Sequence, residues 1–350
     1  MRSNYRQLGQ YIRQVDIRNR DLSVNRLLGV SISKTFIESI ANTVGTDFRN
    51  YKIVRRGQFA YGTVTSRNGD KISIALLEED ECIISSAYVV FEVVDTKELV
   101  PEYLMLWFKR PEFDRYSRYM SHGSVREQFS WEEMCKVKLP IPSYEEQLEI
   151  VNNYKAISER IRLKQKINDN LESQVAALYS EMIRGKEPNA ILSDISSICS
   201  GKRPTNTKEG NHPLVGAGGI MGYIDVYNFN EPILVTGRVG THGVIQRFDE
   251  MCWASDNTLV IKSQHYEFVY QFLKTVDYSL LNRGSTQPLI TQTDLNNLPI
   301  FVPSCDELER FKAKAKVIMY THSLNRREID RLRALSLTLV DSLSMNNSSR

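Results

Sequence analysis

Residues 123–143 and 284–304 are two versions of one segment, held at a constant offset of 161. Gly123-Ser124-Val125-Arg126-Glu127-Gln128-Phe129-Ser130 stands against Gly284-Ser285-Thr286-Gln287-Pro288-Leu289-Ile290-Thr291. Further on, Leu139-Pro140-Ile141-Pro142-Ser143 stands against Ile300-Phe301-Val302-Pro303-Ser304. The same offset takes Glu133 to Asp294 and Glu146 to Glu307 without a gap. A period this long means a repeated structural unit, so the chain must fold as two copies of one architecture.

Each copy ends in a long helix. From Tyr144 to about Lys186 there is no proline, no glycine before Gly185, and a sustained helical period. Pro142, the cap candidate Ser143 and the acids Glu145 and Glu146 mark its start, and Gly185 its end. Ile150, Tyr154, Ile157, Ile161, Lys164, Asn168, Leu171, Val175, Leu178 and Met182 alternate spacings of four and three, which is a heptad seam. The offset carries that seam onto Phe311, Ala315, Ile318, His322, Asn325, Ile329, Leu332, Ser336, Leu339 and Leu343. A helix of roughly 40 residues spans about 60 Å, too long to lie on one small domain. The two helices are therefore expected to pair with each other. Equivalent helices related by a perpendicular two-fold run antiparallel, which brings Lys164, Asn168, His322 and Asn325 together. Buried polar seam residues cost stability but fix register.

Before each helix the pattern is mixed. Ile83-Ile84 and Val89-Val90-Phe91 read as strand and Glu102–Phe108 as a short amphipathic helix; Leu259-Val260-Ile261 and Phe268–Lys274 are their counterparts. The expected fold is α+β: two α+β globules separated by two long helices in an antiparallel coiled coil, with an internal pseudo-two-fold repeat. The expected boundaries are 1–143 and 187–303 for the globules, 144–186 and 304–345 for the helices, and 346–350 for a disordered tail.

Charge is unevenly placed. The chain has a net charge of only +3, but 13 Lys or Arg stand against 5 acids up to residue 75. Such a stretch is either a solvated basic surface balanced by the acidic Glu78-Glu79-Asp80-Glu81 run or a phosphate-binding surface. The second globule has no basic excess, so binding there must rest on a local patch. Cys82, Cys135, Cys199, Cys252 and Cys305 lie too far apart for a redox pair or a zinc finger and are read as reduced packing residues. With neither an apolar leader at Met1–Arg6 nor an uncharged apolar run long enough for a bilayer, the expectation is a cytoplasmic protein with no membrane contact.

Catalytic motifs fail their context tests. Glycines crowd Val215–Gly222 and Gly237–Gly243, yet neither run has the sequence of a phosphate-binding nucleotide loop, so both are read as turns that let backbone approach closely. His122, His212, His242, His265 and His322 form no metal spacing, and Glu132-Glu133 reads as caps or surface charges rather than an acid–base pair. No catalytic residue and no metal site are expected. The globules do offer groove-reading chemistry, because Arg and Lys fork to guanine and Asn and Gln to adenine. The candidates are Arg18, Asn19, Arg55, Arg56, Arg67, Lys71, Arg126 and Gln128 in the first globule. In the second they are Lys202, Arg203, Arg238, Thr241, His242, Asn257, Arg283 and Gln287.

The order of globule then long helix, twice, resembles the specificity subunits of type I restriction-modification enzymes over nearly the whole chain. Leu139-Pro140-Ile141-Pro142-Ser143 with Glu145-Glu146-Gln147, Gly284–Ile290, Gly201-Lys202-Arg203-Pro204 and Pro213–Tyr223 carry the likeness. It implies two target recognition domains, each reading one half of a bipartite asymmetric site in double-stranded DNA. It also implies helices that set the spacer and dock two modification subunits, with restriction subunits joining through the complex. The chain itself would be non-catalytic and hold no cofactor; S-adenosylmethionine, ATP and Mg are expected on the partners. Leu308 departs from the pattern, standing where Gln follows the acidic pair in the first copy. A coiled-coil scaffold that binds no DNA and a stand-alone DNA-binding regulator are the competing readings.

Overall fold

The computed structural model describes residues 5–39, 45–66, 68–122, 127–205, 207–239, 243–281 and 289–343. The chain divides into two units, residues 1–163 with 329–350 and residues 164–328, so each long helix contributes a stretch to both.

In the first unit, β1 (Tyr5–Gln7) is followed by β2 (Ile12–Val15), β3 (Leu28–Val30), β4 (Phe36–Glu38), β5 (Lys52–Arg55) and β6 (Phe59–Gly62). Then come β7 (Ile74–Leu76), β8 (Glu81–Ile84), β9 (Tyr88–Val93), α1 (Pro101–Phe108), α2 (Pro111–Tyr119), α3 (Trp131–Lys136), β10 (Lys138–Pro140) and α4 (Tyr144–Ile183). The main sheet has the order β2-β9-β6-β7, with β5-β8, β3-β4 and β1-β10 as separate pairs. Its strands are rich in aromatic and β-branched residues, which suit a pleated, packed surface. Phe59 stacks on Phe91 at 4.8 Å, and Phe108 meets Phe59 edge-on at 5.8 Å. The helix expected at Glu102–Phe108 is present as α1 but is not amphipathic: Tyr103 through Phe108 are all buried, because sheet and helices cover it on every side. Gln147, fully buried, joins α1 to α4 by accepting from Val100 N at 2.8 Å and donating to Glu98 O at 2.9 Å.

The second unit runs β11 (Ala190–Ile191), β12 (Ser197–Ser200), β13 (Glu209–Gly216), β14 (Gly219–Ile224), β15 (Ile233–Gly237), β16 (Gln246–Phe248), β17 (Trp253–Ala254) and β18 (Thr258–Lys262). These lead to α5 (Tyr266–Thr275), α6 (Gln292–Asn296), β19 (Pro299–Ile300) and α7 (Cys305–Ser342). The main sheet here is β12-β18-β15-β16, beside a smaller β14-β13-β17 sheet.

The backbone repeats far beyond the segment that the sequence matches. Leu8 N donates to Val137 O and Leu192 N to Leu298 O, so Leu8 corresponds to Leu192, an offset of 184. Phe129 N donates to Thr63 O and Ile290 N to Arg238 O, which equates Thr63 with Arg238 at an offset of 175. Gly62 pairs with Tyr88 and Gly237 with Thr258, an offset of 170 on that strand. The decline toward 161 means the first copy holds more residues between its shared strands.

Both long helices start in a full capping box. Ser143 N and Oγ donate to Glu146 Oε2 at 3.0 Å, and Glu146 N returns to Ser143 Oγ at 3.3 Å. Ser304 and Glu307 repeat this at 3.0, 2.7 and 3.4 Å. All twenty seam positions are buried or half-buried. In the second unit Asn168 Nδ2 donates to His322 O at 3.3 Å, and Tyr179 meets Phe311 at 6.5 Å. Rising numbers on α4 thus meet falling numbers on α7, an antiparallel pair. In the first unit Ile150, Val151 and Tyr154 share a core cluster with Val340 and Leu343. Val151, Tyr179, Leu308, Met319 and Val340 widen the buried stripe beyond the heptad seam, because each helix also covers a globule.

The middle of the pair in the second unit is a polar network. Lys164 Nζ donates to Asn325 Oδ1 at 2.8 Å and lies 2.8 Å from Glu328, while Asn325 Nδ2 donates to Asn168 Oδ1 at 3.0 Å. Glu172 sits 3.2 Å from both His322 Nε2 and Lys274 Nζ. The His322 hydrogen bond, reinforced by Lys274, holds the Glu172 carboxyl down to about 2 despite burial. Such networks favour one alignment over slipped ones.

Candidate nucleic-acid interface

Within the second unit the sheet brings three chain segments to one end. β12 runs out at Ser200, β15 runs out at Gly237, and β18 begins at Thr258, and the register places these ends side by side. Lys202, Arg203, Arg238 and Asn257 emerge there, all exposed. Their backbone is fixed while their side chains are left to solvent. Lys202 N donates to Ala254 O at 2.9 Å, Arg238 N donates to Asn257 O at 2.8 Å, and Ile290 N donates to Arg238 O at 3.0 Å. Trp253 Nε1 donates to Lys202 O at 2.7 Å. Gly201 is required for this closeness, since a Cβ there would meet Ser255 O at 2.1 Å. Lys202, Arg203 and Arg238 have no ion-pair partner among the described residues, so each cation is open to a ligand. Thr241, His242, Arg283 and Gln287 lie outside the described residues.

The corresponding end of the first unit is built differently. By strand register Arg18 corresponds to Lys202 and Asn19 to Arg203. Arg18 is occupied, with Nε 2.7 Å from Asp16 and Nη1 donating to Asn50 O at 2.8 Å. The Arg18 hydrogen bond lowers the Asp16 carboxyl. Asn19 is fully buried; its amide donates to Val24 O at 2.8 Å and accepts from Val24 N at 3.2 Å, so it closes a loop and presents nothing to a base edge. Arg55 and Arg56 are exposed and face the acidic loop, at 3.9 Å from Glu81 and 3.0 Å from Asp80, while Arg26 pairs with Glu79. Exposed pairs of this kind are screened by water and contribute little, so Arg55 and Arg56 stay exchangeable. Lys71 is exposed on the turn after β6, and Gln128, exposed, bridges Val64 and His122 by its backbone. Arg67 and Arg126 lie outside the described residues.

Sequence reasoning did not find Thr63, which holds in the first unit the place of Arg238. The signal was present, because Gly62-Thr63-Val64 and Gly237-Arg238-Val239 match once the offset is allowed to change. Nor did it find the exposed side chains of β14, Met221 at 62% and Tyr223 at 54%, on an edge strand. Among the described residues no group of three His, Cys, Asp or Glu could hold a metal ion, and no helix is long and apolar enough to cross a membrane. Cys82 and Cys252 are buried, and burial raises their thiols to about 12 and about 11; Cys305, at the start of α7, is exposed.

Known proteins place this arrangement. No curated protein matches the chain. Among solved structures, the S subunit of a type I restriction-modification system from M. genitalium is similar with a TM-score of 0.63 at 13% identity, covering 97% of this chain and 95% of that one. The HsdS subunit from Thermoanaerobacter tengcongensis is 18% identical with a TM-score of 0.40, covering 98% and 97%. The family model described as the type I restriction modification DNA specificity domain matches twice, over residues 36–173 and 190–321, one match for each copy of the repeat. With most of its length matched in this way, the chain belongs to the family of type I restriction-modification DNA specificity domains.

Proposed function

We propose that this chain is the sequence-recognition subunit of a type I restriction-modification complex, in which each globule reads one half of a bipartite DNA site. The observation that carries this reading is the doubled family match on a doubled fold, one reading element per copy. The open cations Lys202, Arg203 and Arg238 support it in the second unit, and the exposed Arg55, Arg56 and Lys71 in the first. Arg fits here because its planar fork matches the guanine edge, whereas Lys offers a point charge suited to phosphate.

In this reading residues 1–143 and 187–303 are the recognition domains, and the long helices set the spacer and dock two modification subunits. Those partners bring S-adenosylmethionine and methylate adenine; restriction subunits with ATP and Mg join through the complex. The chain's own residues bind and orient DNA, and the reaction takes place on the partners. Base-resolution mapping of N6-methyladenine in cells with and without the chain tests the proposal. A bipartite methylated motif should vanish on deletion, and an unchanged methylation map would refute it.

A further inference from the structure

We infer that the first unit carries a binding site for a small aromatic anion, anchored by Arg110. The site is a cavity of about 460 Å³ between α2 and the segment joining α3 to β10, a volume within the range of small-molecule sites. Trp107, Phe113, Tyr116 and Val137 give it a largely apolar wall. Arg110 is only 6% exposed, and its guanidinium lies over the Trp107 ring at 4.3 Å. Nη2 stands 3.3 Å from Glu112, a carboxylate already shared with Arg115 at 2.8 Å. Nε is buried and has no hydrogen-bond partner among the described residues.

A buried charged donor left unmatched is costly, and proteins rarely keep one without a use for it. Arg110 lines the cavity, and an anionic oxygen seated against its guanidinium would give this charge a fuller set of partners in surroundings where water competes poorly, which strengthens the bond. Lys136 and Lys138 also line the cavity and are exposed; Lys136 is paired with Glu133 at 2.7 Å, and Lys138, with no ion-pair partner among the described residues, adds positive charge at the mouth. The apolar wall selects a flat, hydrophobic body behind the anion.

The second copy shows that the scaffold does not need these cations. An offset of 165 takes Trp107 to Phe272 and Arg110 to Thr275, as the matching first turns of α1 and α5 require. The offset of 161 takes Lys136, Val137 and Lys138 to Asn297, Leu298 and Pro299. Apolar wall positions survive in both copies while all three cations are lost from the second.

An aryl carboxylate and a nucleoside monophosphate share the required chemistry. The full chain is titrated separately with phenylacetate and with adenosine monophosphate, by calorimetry and by tryptophan fluorescence. Saturable binding of one probe is expected, and which one binds identifies the source of the anion. Lys138→Glu, a change at an exposed position, should weaken that binding at least about tenfold, and Arg110→Met should abolish it. If Arg110→Met loses its circular dichroism signal, the double variant Lys136→Glu with Lys138→Glu decides in its place. No saturation by either probe up to about 10 mM, or binding unaltered by these substitutions, overturns the site.

Discussion

Arg238 and Asn19 were equally plausible base readers as letters in a sequence, and their surroundings separate them. Arg238 is exposed, with its backbone tied to Asn257 and Ile290 and its side chain open. Arg238→Ala should therefore cost about 1 to 3 kcal/mol of binding to the cognate site if the fork meets a guanine. Competition binding against single-base variants of that site checks this, and a uniform loss across sequences with a shallower salt slope would mean a phosphate contact instead. Asn19, whose amide is spent on Val24, should behave as a stability residue. Asn19→Ala should lower unfolding free energy by about 1 to 3 kcal/mol in urea while the methylated motif stays the same. The sequence could nominate side chains by type, but burial and prior pairing depend on loops such as 20–24 and 78–81. Those loops are fixed by tertiary contacts rather than local pattern.

At the level of elements, much was legible because helix signals are local. Ser143 with Glu146 and Ser304 with Glu307 announce their helices by chemistry contained in four residues, and both boxes are present in full. The α+β duplication was legible for the same reason, the repeat being printed twice. Sheet pairing was not, since the order β2-β9-β6-β7 joins residues far apart in sequence, and a fixed offset hid the changing one. The burial of α1 on all sides was also missed, because periodicity within the helix cannot report what covers its outer face. The helix pair also has a pH signature. Glu172 is held near 2 when folded against an ordinary value of 4.5. A depressed carboxyl contributes stability that is fully present above its unfolded value and is lost as pH falls toward the folded one. Wild type should accordingly exceed Glu172→Gln in melting temperature at about pH 6, with the gap closing between about pH 4.5 and pH 2. Thermal melts across that range check it, and a gap independent of pH would remove Glu172 from the account.

For the molecule as a whole, duplication predicts modular behaviour. Replacing residues 187–303 with the matching domain of a relative should change one half of the methylated motif and leave the other half and the spacer intact. Deleting one heptad in register from each long helix should shorten the spacer. Methylome mapping reads both, and a swap that altered both half-sites together would show that the two globules do not read independently. The two copies are nevertheless no longer interchangeable. Lys164 bonds Asn325, the position that the offset of 161 assigns as its own equivalent, and Glu328 neutralises it from nearby. If the first half of the chain associated with another first half along this seam, Lys164 would confront Lys164. Ile167 would then stand where Glu328 now does. Two ammonium groups, each only 18% exposed, would be left facing one another without an anion. A second half paired with itself would bring two Glu328 carboxylates and no lysine. Lys164 and the Asn325–Glu328 pair thus fit one another like a lock and its key joined on one chain, a match that neither half could make with a copy of itself.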